Sequence, residues 1–224
     1  MTIEEKRNYI ILIIVLILII GGVYYKKNPE TTPPNLPLSG EVNNVTSEEG
    51  LSASGGGNEG VQPKLTYEQY LQQGIEYETK GELDKAIDSY KKASEISPKE
   101  YVPYSNAGSA YYSLKRFIEA EDHFLKALEL SPSSVSVHTK LYDLYFYGLK
   151  RDSQQMAAFF QDALNATNND INIVKLYALY LEEIKDFKSA LNIWQSLLDF
   201  EPDNVSYKAK VEALQKKINP HTYQ

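Results

Sequence analysis

Hydrophobic residues are distributed along this chain in three ways, and each predicts a different structure. From Ile10 to Ile20 they form an unbroken run of Ile, Leu and Val, with Tyr9 before it and Gly21-Gly22-Val23-Tyr24-Tyr25 after it. As a helix, residues 9–25 would extend about 25 Å. That is a little short of a hydrocarbon core of about 30 Å, but terminal tyrosines and lysines can anchor and snorkel. A single transmembrane helix is therefore the expectation, after a tail at residues 1–8. No A-x-A-like site follows the run, which weighs against a cleaved signal peptide. Lys6 and Arg7, with the terminal amine, precede the span while Lys26 and Lys27 follow it. The positive-inside rule then leans slightly toward an internal N-terminus and an exported C-terminal region.

The second regime, residues 26–64, has almost no apolar periodicity. It contains TTPPNLP near one end and SASGGGNEG near the other. With too little apolar content to build a core it is expected to stay disordered. The stretch from Asn28 to Lys64 would reach roughly 35 Å root-mean-square as a flexible tether. Its glycines neither follow a strand nor open a helix, so they do not read as a phosphate-binding loop.

From Leu65 onward apolar residues recur at three and four, the signature of amphipathic helices. The pattern also repeats. Gly74, Tyr77, Ala86, Tyr90, Ala93 and Pro98 are matched by Gly108, Tyr111, Ala120, Phe124, Ala127 and Pro132, each pair 34 residues apart. Small residues at Gly74 with Ala86, and at Gly108 with Ala120, permit two antiparallel helices to approach closely. The aromatics fill the space beside them, and each proline marks a helix end because it cannot continue one. Gly81 is placed to supply the turn between the first two helices.

This period and residue pattern resemble the tetratricopeptide repeat. The resemblance implies an all-α, right-handed α-α solenoid of about four helix pairs plus a C-terminal capping helix, preceded by the single transmembrane helix and disordered linker. The repeat domain spans residues 65–219, with units at about 67–100, 101–134, 135–170 and 171–204. The fourth unit carries Ala178, Leu181, Ala190, Trp194, Leu197 and Pro202 at the same mutual spacing. The third fits after two extra residues are allowed near Gly148 to Gln155. Tyr142 and Met156 stand there where the family prefers small side chains, so its helix pair is packed wider or its turn is longer. Residues 205–218 present Tyr207, Val211, Leu214 and Ile218 on one face and read as a cap covering the last apolar surface.

Composition narrows the function. The chain has 224 residues with 23 Lys+Arg against 30 Asp+Glu, an acidic balance that argues against a nucleic-acid binder. It has no cysteine, which excludes disulfides, thiolate metal sites and a cysteine nucleophile. His123, His138 and His221 lack metal-ligand spacing, and no serine, histidine and acid set has motif context. No catalytic residue, cofactor, metal or small-molecule substrate is expected. Trp194 reads as core. Asn44, Asn165 and Asn204 each open an N-x-[ST] triplet, used only on a eukaryotic secretory route.

The family resemblance implies a concave groove, lined by the first helix of each unit, that binds a protein or peptide partner. The groove residues carried over are Leu71 and Ile75 from the first unit and Val102, Asn106 and Tyr112 from the second. Lys140 and Phe146 come from the third, and Lys175 and Leu179 from the fourth. Other positions on that face include Glu78, Ser105, Asp143 and Glu182. Some family members clamp a terminal carboxylate; here Asn106 and Lys140 match, but Leu71, Ile75 and Ser136 replace the remaining polar residues, so such a clamp is not expected. The resulting expectation is a non-enzymatic, membrane-tethered scaffold, serving assembly or export of an envelope complex. The alternatives are a self-associating structural solenoid and a secreted soluble protein released by signal cleavage.

Overall fold

The structure, a computed structural model, describes residues 65–220. The expected tail, anchor and linker lie outside the described residues. Among the described residues no helix is long and apolar enough to cross a membrane.

Those residues form an all-α solenoid of nine helices without strands. In chain order these are α1 Tyr67–Thr79, α2 Leu83–Ile96, α3 Tyr101–Ser113, α4 Phe117–Leu130 and α5 Val135–Asp143. A π turn, Leu144–Gly148, continues α5; then come α6 Ser153–Ala166, α7 Ile171–Glu183, α8 Phe187–Phe200 and α9 Val205–Ile218. Local chemistry starts several of them. Thr66 and Gln69 form a capping box at α1, Asp152 and Gln155 another at α6, and Asp170, Asp186 and Asn204 cap α7, α8 and α9. Each satisfies backbone N–H groups that have no partner within the helix.

The repeat pattern becomes packing. A Cβ placed on Gly74 would lie 2.4 Å from the Tyr90 ring, and one on Gly108 would lie 2.7 Å from Phe124. Both glycines therefore exist so that an aromatic ring can lie on helix backbone. Ala86, Ala93, Ala120 and Ala127 are fully buried, where neighbouring helices meet. The turn inside the first pair uses Gly81 at φ +76°, while the matching positions in the second and fourth pairs carry Lys115 at +59° and Lys185 at +64°.

The third unit departs from this plan in two places. Its first helix and π turn run from Val135 to Gly148, one residue longer than Tyr101–Ser113. The connection from Gly148 to Ser153 is also one residue longer than that from Ser113 to Phe117. The two extra residues are thus one helical bulge, with Leu149 N–H bonded to the Leu144 carbonyl at 2.7 Å, and one loop residue. Tyr142 replaces the small residue and is buried, its ring 5.8 Å from Phe160. The backbones of α5 and α6 accordingly stand further apart than those of the other pairs. A chain of rings, Phe159 and Phe160 of α6 with Tyr177 and Tyr180 of α7, continues from there into the fourth unit.

Helix α9 closes the stack. Tyr207, Val211 and Leu214 are buried, and Tyr207 lies 5.7 Å from Trp194.

Candidate functional site

Side-chain contacts tie the first helices of the second, third and fourth units, together with α9, along one face. Lys140 on α5 donates through Nζ to Ser105 Oγ on α3 at 3.0 Å. Phe146 in the π turn meets Tyr180 on α7 edge to face, centroids 5.5 Å apart. Lys210 on α9 reaches both Glu182 oxygens on α7 at 3.0 Å.

The sequence-expected groove residues are distributed unevenly over that face. Leu71 is half-buried against the core, whereas Ile75 at 42% and Leu179 at 40% are exposed apolar side chains near its two ends. Val102, Asn106 and Lys175 are half-buried, and neither Asn106 nor Lys175 has a hydrogen bond from its side chain among the described residues. Tyr112 packs 5.7 Å from Phe117. Its ring also lies over Gly148, where a Cβ would come within 3.2 Å. Phe146 stacks on Tyr142 at 5.6 Å. The contacts thus gather Tyr112, Lys140 and Phe146 about the middle units. No contact joins Leu71 and Ile75 to Lys175 and Leu179. Ser105 is buried beneath Lys140, so it supports the face more than it lines it.

The electrostatics of the middle are mixed. Burial pushes the Lys140 ammonium below its usual range, and Glu78 partly restores it. Burial pushes the Asp143 carboxyl up, with no countering cation. Tyr112 is pushed up by burial first, then by Asp143 and Tyr147.

Several further contacts shape this face. Glu78 accepts the Tyr90 hydroxyl at 2.7 Å, and Glu182 accepts the Trp194 indole N–H at 2.8 Å. The two acids occupy one repeat position, and so do the two rings, a coincidence that is present in the sequence. Tyr147, 53% exposed beside Phe146, was hidden because it belongs to the π turn that shifts the repeat register. Away from this face, His138 donates from Nε2 to the Pro132 carbonyl at 2.9 Å and is buried, in keeping with a core residue. Among the described residues no group of His, Cys, Asp and Glu could hold a metal ion.

Fold and face together define an α-helical repeat protein with an extended first-helix face. Residues 74–115 match the family model described as TPR repeat, and residues 103–134 match that described as Tetratricopeptide repeat. The chain is 31% identical over 77 residues to human Tetratricopeptide repeat protein 6, covering 34% of this chain and 15% of that protein. It is 39% identical over 70 residues to Heat shock protein STI1 of Saccharomyces cerevisiae, covering 31% and 12%. The chain therefore spans a small part of the length of these curated relatives. A solved structure described as "Functional Characterization of Pseudomonas Aeruginosa pilF" shares the fold at a TM-score of 0.53 and 16% identity, covering 70% of each chain. Family models and relatives' names alike support the tetratricopeptide-repeat family, whose members commonly serve as protein-binding scaffolds.

Proposed function

We propose that this protein is a membrane-tethered scaffold that holds an extended segment of a partner protein along its first-helix face. The observation that carries the reading is the middle of that face. There Asn106, Tyr112, Lys140 and Phe146 combine half-buried rings with polar groups, of which Asn106 has no partner among the described residues. Such a mixture suits a segment whose backbone is hydrogen-bonded while its side chains fill pockets. The run Ile10–Ile20 supports a membrane anchor, the slight excess of positive charge before it leans toward a repeat domain on the exported side, and residues 26–64 support a tether. Tethering confines the search to the reach of the linker and raises the effective concentration of the groove. Assembly or export of an envelope complex is a role that fits these properties.

Crosslinking and affinity capture from native membranes tests this, comparing the wild-type chain with Tyr112→Ala, Lys140→Glu, Phe146→Ala combined. Circular dichroism first establishes that the variant folds. One prominent partner that is lost with the variant is expected. Identical proteins from both chains would overturn the groove. Release of the wild-type chain from membranes by alkaline carbonate would overturn the anchor.

A further inference from the structure

Asp143 differs from the other half-buried acids of the repeat domain. Glu121 accepts two hydrogen bonds from Arg151, at 2.9 and 3.1 Å, and one from the Tyr145 hydroxyl. Glu182 holds Lys210 and the Trp194 indole, and Glu78 holds the Tyr90 hydroxyl. Asp143 is half-buried at the junction of α5 with the π turn, and among the described residues no side chain donates to it. The nearest cation along its own helix, Lys140, is turned toward Ser105 on α3.

The groups around Asp143 are aromatic or acidic. The ring of Tyr112 on α3 lies over Gly148 at the end of the π turn, and Tyr147, in the same turn, follows Asp143 by four residues, about one helical turn. Tyr112 is pushed up by burial first and then by Asp143 and Tyr147. Tyr142, on its own helix, meets Tyr147 edge to face at 6.0 Å and feels both Asp143 and Glu183 of α7. Ring faces carry partial negative charge and attract cations. A half-buried carboxylate without a partner costs free energy until a donor reaches it. Tyr147 is largely exposed, so the position opens to solvent and not into the core.

We propose that Asp143, flanked by Tyr112 and Tyr147, seats one basic side chain, Lys or Arg, of the protein segment bound on this face. The proposal rests on the groove reading above and adds the chemistry of one residue of the partner. The ammonium or guanidinium pairs with the carboxylate and lies against the phenol rings. An acidic side chain is repelled there, and an apolar one leaves the carboxylate buried and unpaired.

The test uses the full chain in detergent and a displayed library of random dodecapeptides, selected in parallel on wild type, Asp143→Asn, Asp143→Lys and Phe146→Ala. Circular dichroism confirms the folding of each variant. Wild type is expected to enrich peptides with Lys or Arg at one fixed position. Exchanging that residue for Gln should weaken binding about tenfold or more, the size typical when one member of a partly buried charge pair is lost. With Asp143→Asn the exchange should have little effect, and Asp143→Lys should favour Glu or Asp at the same position. Peptides that depend on Phe146 but show no basic preference, or keep it with Asp143→Asn, would overturn the proposal while leaving the groove reading intact. Failure to select any peptide, or selection insensitive to Phe146→Ala, would overturn both.

Discussion

Glu182 accepts the indole N–H of Trp194 at 2.8 Å, and Glu78 accepts the hydroxyl of Tyr90 at 2.7 Å. In each case a first-helix acid holds the polar edge of the ring that fills its own helix pair. The fourth unit adds Lys210 from α9, which pairs with Glu182 and lies 5.5 Å from the centre of the Trp194 ring. One carboxylate thereby joins α7, α8 and the cap.

Glu182→Ala leaves the indole N–H and Lys210 without their acceptor. It should destabilise the domain by about 1–3 kcal/mol, the usual cost of unsatisfied partly buried groups. Chemical denaturation of the single variants and of a double variant with Lys210→Met measures this. A coupling energy between the two positions is expected; strict additivity would show that the cap docks without this contact.

Gly74→Ala and Gly108→Ala put a methyl group inside the space of Tyr90 and Phe124, with Cβ at 2.4 and 2.7 Å from the rings. The ring or the helix must move, at a cost of about 1–3 kcal/mol despite the better helix propensity of alanine. Pairing Gly108→Ala with Phe124→Leu should recover part of the loss in thermal unfolding. If Gly108→Ala by itself raises the melting temperature, the close approach is not real.

Lys115 and Lys185 adopt φ values of +59° and +64° at the turn position that Gly81 fills in the first unit. Left-handed backbone costs a side-chain-bearing residue about 1–2 kcal/mol, while glycine adds chain entropy to the unfolded state worth about 0.5–1 kcal/mol. Lys115→Gly and Lys185→Gly should each stabilise by about 0.5–1 kcal/mol, as read from urea midpoints at unchanged slope. Loss of stability in both would contradict this account of the turns.

His123 and His138 are each held below the ordinary histidine value of 6.5 chiefly by burial. His123 donates from Nδ1 to the Glu119 carbonyl at 2.8 Å, and His138 has an Nδ1 with no partner, so neither gains an acceptor when charged. A folded-state value below the unfolded one means the unfolded chain binds more protons as pH falls below 6.5. Stability is then full above that pH and declines below it. Melting temperature should fall from about pH 7.5 to about pH 5.5, and less steeply for His138→Gln than for wild type. Parallel curves would show that His138 does not contribute. Comparing the two slopes removes the opposing effect of Asp143, whose raised value favours folding as pH falls.

Individual residues are most legible in the sequence where one unit repeats another. Gly74 and Gly108 mark places where paired helices approach closely with an aromatic nearby, while only the packing shows that the Tyr90 and Phe124 rings lie directly on the glycine backbone. The third unit is the least legible. An insertion of two residues can be detected by counting, but its division between a π turn and a loop shows only in the backbone hydrogen bonds, Leu149 N–H to the Leu144 carbonyl among them. Lys140 illustrates the same limit at the site. Its place on the first-helix face follows from its repeat position, while its hydrogen bond to Ser105 on α3 joins residues 35 apart and needs the pitch of the stack.

By itself the sequence determined the helical period, the pairing of helices and the need for a cap. Each is local, set by which residues recur every three or four positions and every 34. Only the tertiary structure decided which charges on the shared face are neutralised. Glu182 obtains Lys210 from α9, whereas no described side chain donates a hydrogen bond to Asp143, and burial pushes its carboxyl up. The reason is geometric: charges interact through distances between helices, and those distances depend on how the units stack, not on spacing along the chain.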